Sequence, residues 1–87
     1  MARIISGTGQ TSLTATPSVI VDENLSRAGV LITNTDLNNN IYVGNEDVTN
    51  TTGQIVFPQD SLTIPVTSAV YGVTDAETIL ISWLEVQ

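Results

Sequence analysis

The ten residues Thr78-Ile79-Leu80-Ile81-Ser82-Trp83-Leu84-Glu85-Val86-Gln87 form a stretch that is apolar on both faces when extended. Strand alternation puts Ile79, Ile81 and Trp83 on one side and Leu80, Leu84 and Val86, with Ser82, on the other. In a small domain such a strand lies centrally between two packed layers, or a second chain covers one of its faces. We assign Leu80, Leu84 and Val86 to the domain core and Ile79, Ile81 and Trp83 to the side nearer a neighbour.

The 87 residues make one domain. At this length folding buries only about 60–65% of the surface of the extended chain, so the monomer is expected to be marginal. The usual supports are a disulfide, a metal or a partner subunit. The chain has no cysteine and no histidine, which removes disulfides and the common zinc, copper and haem ligands. No cofactor is expected, and oligomerisation remains as the support.

Nine acids stand against Arg3 and Arg27, without a lysine, for a net charge of −7. Phosphate backbones and anionic lipid surfaces attract Lys/Arg clusters, so no nucleic-acid and no membrane partner is expected. The start, Met1-Ala2-Arg3-Ile4-Ile5-Ser6-Gly7, lacks the apolar run of a signal peptide, and a role without secretion signals is the expectation.

Val, Ile and Thr dominate, and no window carries a helical apolar stripe, so the class is all-β. Arg3 to Ser6 reads as a short strand or arm that Gly7-Thr8-Gly9 breaks. Ser12 to Thr16 alternates up to Pro17, and Ser18 to Asp22 is the next strand. Gly29 to Asn34 reads as a well-buried strand, and Asp36 to Asn40 as a hairpin turn leading into Ile41 to Gly44. Ile55 to Phe57 follows, then a turn at Pro58-Gln59-Asp60. Ser61 to Val66 places Leu62, Ile64 and Val66 inward, with Pro65 marking an edge strand. Val70 to Val73 precedes the terminal strand. Seven or eight short strands predict a single small β-sandwich or a Greek-key, jelly-roll-like barrel over 12–87, with 1–11 as an N-terminal arm or edge strand.

Catalysis finds little to work with. Without His, Cys or Lys the chain cannot build a histidine-assisted nucleophile or a Schiff base. The acid pairs Asp22/Glu23, Glu46/Asp47 and Asp75/Glu77 fall in exposed turns, where carboxylates are solvated. Asp36-x-Asn38-x-Asn40 with Asp47 at the twelfth position opens like a calcium loop. Ile41 replaces the required sixth-position Gly, Asp47 replaces a bidentate Glu, and the flanks are strands. A looser surface calcium site at Asp36, Asn38, Asn40, Glu46 or Asp47 is a weak candidate, and turn chemistry explains the same residues more economically. The sequons Asn24-Leu25-Ser26 and Asn50-Thr51-Thr52 read as coincidence in a Thr- and Asn-rich chain. Trp83 and Tyr42 are better read as packing residues than as a sugar platform. Arg27 is expected to make an ordinary surface ion pair worth about 0–1 kcal/mol.

One order of segments carries a resemblance. It runs Val30-Leu31-Ile32-Thr33-Asn34, Ile41-Tyr42-Val43-Gly44, Gly53, Phe57-Pro58, Asp60-Ser61-Leu62-Thr63-Ile64, Val70-Tyr71-Gly72-Val73 and Ile79 to Glu85. From Arg27 to Val86 the chain resembles small β-sandwich virion proteins of tailed bacteriophages, the capsid decoration (cement) proteins and head- or tail-fibre modules. The resemblance implies no enzyme activity, assembly from many copies, and often a trimer seated on capsid or tail protein. The leading expectation is a head decoration protein, made in the host cytoplasm, that binds the major capsid protein and forms a homotrimer on the virion surface. The alternatives are a host-surface or glycan-binding module of a tail or fibre, and a calcium-stabilised β module. Arg3, Ile4, Ile5, Ile79, Ile81 and Trp83 are the residues expected to serve self-association or capsid contact.

Overall fold

The computed structural model describes residues 4–75 and 78–87. Its strands are β1 (Ile5–Leu13), β2 (Ser18–Val21), β3 (Gly29–Asn34), β4 (Ile41–Gly44), β5 (Gln54–Val56), β6 (Ser61–Ile64), β7 (Val70–Thr74) and β8 (Ile79–Val86). They form two four-stranded sheets, sheet I in the order β1-β8-β3-β6 and sheet II in the order β2-β7-β4-β5. Every strand pairing is antiparallel.

The topology is nested. β1 pairs with β8, β2 with β7, β3 with β6 and β4 with β5, as in one long hairpin whose apex is the loop after β4. The β3–β8 and β4–β7 ladders roll that hairpin into two layers. This is a jelly roll, and the all-β sandwich expected from the sequence is what the chain forms.

Two local expectations are corrected. β3 and β4 lie in different sheets, so 35–40 crosses between layers rather than closing a hairpin. Buried Asn34 holds that crossing: its amide nitrogen donates to the carbonyls of Asn39 (2.8 Å) and Val56 (3.0 Å), and its Oδ1 accepts from the Asp36 N–H (3.0 Å). β1 runs unbroken through Gly7 and Gly9 apart from a register shift between Ile5 and Gly7. β1 is an edge strand of sheet I, one of the two readings given for 1–11, and it continues past residue 11 to Leu13. In contrast, the turn at Pro58-Gln59-Asp60 is present, with the Asp60 N–H on the Phe57 carbonyl (3.1 Å) and Gln59 at φ 61°. The edge position of β6 is also present.

The core comes from the facing sides of the sheets. Sheet I contributes Leu13, Val30, Ile32, Ile79 and Ile81; sheet II contributes Ile20, Val21, Ile41, Val43, Val56 and Val70. Leu62, Ile64, Val66 and Trp83 pack around them. The assignment of faces on β8 is thus reversed: Ile79 and Ile81 are fully buried inside this chain, whereas Leu80 is 47% exposed. Register is the cause, because Ile79 pairs with Leu13 and Trp83 with Ile32, so these residues share the core face.

Gly7 and Gly9 make room for the same face. A Cβ on Gly9 would stand 2.7 Å from Trp83 Cζ2 and 2.9 Å from Cε2; one on Gly7 would stand 2.9 Å from Glu85 Oε1. The indole therefore lies directly under β1. Gly9→Ala is expected to lift β1 or displace the ring and to cost about 1–3 kcal/mol, as overpacking does. Trp83 is the chain's one tryptophan, so its emission during urea unfolding reads the loss directly.

Sheet II is covered on its outer side too. Val48 in the apical loop packs with Tyr42, Val73 and Tyr71 in a second small cluster. Gly53 permits it, since a Cβ there would meet Val48 Cγ2 at 2.7 Å and Tyr42 Cβ at 2.8 Å. Only the outer side of sheet I lacks such a cover among the described residues.

Candidate interaction surface

The outer side of sheet I is built by the residues alternating with its core face. β1 supplies Thr8, Gln10 and Ser12, β8 supplies Leu80, Ser82, Leu84 and Val86, β3 supplies Leu31 and Thr33, and β6 supplies Ser61 and Thr63. None of them carries a charge, in a chain with nine acids. Asp22, Glu23, Asp36, Glu46, Asp47, Asp60 and Asp75 all lie in connections between strands, and Glu85 points to the inner side.

Leu80 and Leu31 are exposed on this face, and Leu84 and Val86 are half-buried beside them. Hydroxyl groups of the face bond within the sheet or its margin. Thr8 Oγ1 donates to the Trp83 carbonyl (3.2 Å), Thr33 and Ser61 share a hydrogen bond (2.9 Å), and Thr35 Oγ1 donates to the Leu80 carbonyl. Thr8, Thr33 and Ser61, already partnered, lose little when water is removed, so covering them carries a small desolvation cost. Strands of nine, eight, six and four residues, at ~4.8 Å spacing and ~3.3 Å per residue, give an area of roughly 430 Å². A partner of equal size would bring the buried total to roughly 900 Å², just under the ~1,000 Å² of a specific interface, so a seated partner reaches past the strands to the margin of the face. A shallow hollow of about 200 Å³ between Thr8, Leu31, Thr33, Ser82, Trp83 and Leu84 gives the face its relief.

The residues expected at an interface separate into two groups. Ile4 and Ile5 are exposed, and Ile5 sits beside Val86 at the rim of this face. Ile79 and Ile81 are core residues and are withdrawn as contacts, and Trp83 is turned inward beneath β1. Arg3 lies outside the described residues. Leu80, Leu84 and Leu31 are the contacts that sequence reasoning missed. The signal was present in the Ser/Thr residues that share the outer face with them on every strand of sheet I.

Comparisons with family models, curated proteins and solved structures return no match.

The acidic candidates serve turns and loop closure. Asp36 Oδ2 accepts the N–H groups of Asn38 (3.0 Å) and Asn39 (2.8 Å) and the Asn39 side-chain amide (3.0 Å). The Asn38 N–H first, then the Asn39 N–H, holds the Asp36 carboxyl below its ordinary pKa. This is the turn chemistry weighed above against a calcium site. Asn40 contributes its carbonyl to Thr74 Oγ1 (3.1 Å), and the Asp47 N–H bonds Asn45 Oδ1 (3.0 Å). Asp75 clasps the apical loop, accepting from Tyr42 Oη (2.9 Å) and Asn50 Nδ2 (2.8 Å). With Glu46 and Asp47 it borders an open depression of about 490 Å³. No cluster of three acids suited to a metal ion occurs among the described residues. Glu77 lies outside them.

Arg27 departs furthest from expectation. It is 3% exposed, and its guanidinium donates to Glu85 Oε2 (2.9 Å) and to the carbonyls of Asp22 (3.0 Å), Val66 (2.9 Å) and Ser68. Glu85 also accepts from Asn24 Nδ2 (3.2 Å). One side chain thereby ties the turn after β2, the segment after β6 and the end of β8. Nearby, the buried Trp83 indole N–H has no acceptor among the described residues.

An apolar cleft of about 400 Å³ opens between β6 and sheet II, lined by Leu62, Ile64, Pro65, Val66, Val43 and Val70. It marks where the two layers part.

Proposed function

We propose that this chain is a non-enzymatic structural protein of a tailed-phage virion that decorates the assembled head, seating the outer side of sheet I on the major capsid protein. The observation that carries the reading is the uncharged, leucine-bearing face in a strongly acidic chain. Jelly rolls occur in viral capsid and lectin domains alike, so the fold supports the reading by analogy only. A ligand that binds the assembled lattice and not its separated subunits stabilises that lattice by mass action. The acids, kept in the connections, leave the seated face free of like-charge repulsion and keep the solvent side soluble.

The test is co-sedimentation with purified heads of the phage that encodes the chain. The wild type should pellet with heads, and Leu80→Glu, which places a charge at an exposed position of the face, should bind at least tenfold more weakly with an unfolding midpoint close to that of the wild type. A wild type that leaves heads unlabelled and binds tails or host-envelope glycans would support the fibre reading instead.

A further inference from the structure

We propose that the free edge of β1 pairs antiparallel with β1 of a second copy of this chain, joining the two copies of sheet I into one continuous sheet. The argument begins with how the four sheet edges are defended. β2 has four residues, follows Pro17, carries a register shift between Val19 and Val21 and runs into Asp22. β5 has three residues with Pro58 close behind, and β6 has four, flanked by Asp60 and Pro65. Short length, proline, charge and irregular register are the devices that keep strand edges from pairing. β1 has nine residues, Ile-Ser-Gly-Thr-Gly-Gln-Thr-Ser-Leu, with neither a proline nor a charge. Its one irregularity lies at the Ile5 end.

The backbone groups at this edge follow from the ladders. The Asn34 N–H donates to the Asp60 carbonyl (2.9 Å), so even-numbered residues of β3 turn to β6 and odd-numbered ones to β8. Leu31 and Thr33 pair with Leu84 and Ser82, which directs the even residues of β8 to β3. The odd residues then face β1, as the Gln87 N–H on the Ile4 carbonyl (2.9 Å) requires. Their partners Gly7, Gly9, Thr11 and Leu13 spend their backbone groups on β8. Thr8, Gln10 and Ser12 turn theirs to the open side.

That row is self-complementary. With a two-fold axis at Gln10, Gln10 meets its own copy and Thr8 meets Ser12 on each side, so all three residues exchange hydrogen bonds in both directions. The self-complementary row selects a second copy of this chain as the occupant, and the acidic character of the chain does not oppose it, because none of the nine β1 residues is charged. Pairing also continues the uncharged face of sheet I across the axis and doubles it. The contact does not depend on the capsid role, and it is two-fold, unlike the trimer that the phage resemblance implies.

Gln10→Pro tests it. The Gln10 N–H takes no part in the β8 ladder, so proline removes a donor from the open edge and leaves the ladder within the sheet intact. Sedimentation equilibrium of the wild type should rise with concentration from 9.2 kDa toward twice that mass, while Gln10→Pro stays at 9.2 kDa with an unchanged far-UV spectrum. Gln10→Glu, which sets two carboxylates together at the axis, should lower the dimer fraction in low salt and regain it in high salt. A wild type that stays monomeric throughout overturns the proposal. So does a dimer or trimer that forms equally well in both variants.

Discussion

Arg27→Ala is expected to lower stability by about 3–5 kcal/mol, a large part of what an 87-residue domain possesses. The loss comes from what is stranded rather than from the ion pair as such. Removing the guanidinium leaves the Glu85 carboxylate held by the Asn24 amide, and it takes the donors from the carbonyls of Asp22, Val66 and Ser68. These hydrogen bonds are partly buried, and an acceptor left unpaired costs up to about 1–3 kcal/mol, less where water reaches it. Arg27→Lys should recover only part of the loss, because one ammonium cannot span carbonyls that a planar five-donor fork reaches together. Removing the charge on both sides, with Arg27→Met and Glu85→Gln combined, should be less damaging than Arg27→Ala alone. Urea midpoints of the four proteins check the order, and an Arg27→Ala loss under 1 kcal/mol would return Arg27 to the surface pair first expected of it.

Ile81→Ala should cost about 2–5 kcal/mol, the range for truncating a large aliphatic side chain in a packed core. Ile81 is fully buried, pairs with Thr11 on one side and Asn34 on the other, and belongs to the main core cluster. Its neighbour Leu80 is 47% exposed, and Leu80→Ala should stay within about 1 kcal/mol. Thermal unfolding of the two variants reads the difference between the faces of β8. Equal losses would mean that β8 is covered on both sides in solution, as a stable assembly through the outer face would make it.

These residues also show what the sequence made legible. Val/Ile/Thr richness, the inward row Leu62-Ile64-Val66 and the edge mark of Pro65 all follow from the chemistry of single strands, and the structure contains them. The two faces of β8 were not separable that way, because both are apolar. What separates them is the neighbouring strand: Gly7 and Gly9 leave space for Glu85 and Trp83, whereas Thr8, Gln10 and Ser12 line up with Ser82 and the leucines. The same glycines suggested a break because they weaken a strand in isolation. They are tolerated where a large side chain from the next strand fills the room they leave.

Arg27 was misread for a similar reason. A cation next to a polar turn is usually solvated, and the three carbonyls that bury it come from segments up to 41 residues away. The crossing at 35–40 was likewise hidden, because Asp36 and its neighbours satisfy a turn whether the chain returns to its own sheet or passes to the other. The candidate surface was legible in kind, as a strand with a second apolar face, and its side was settled only by register.

The most direct measurement is a cryo-EM reconstruction of the purified particle that carries this chain. The outer side of sheet I should lie against capsid protein, with Leu31, Leu80 and Leu84 in van der Waals contact and the apical loop after β4 facing solvent. Density showing the apical loop against the capsid, with those leucines open to water, would contradict the account.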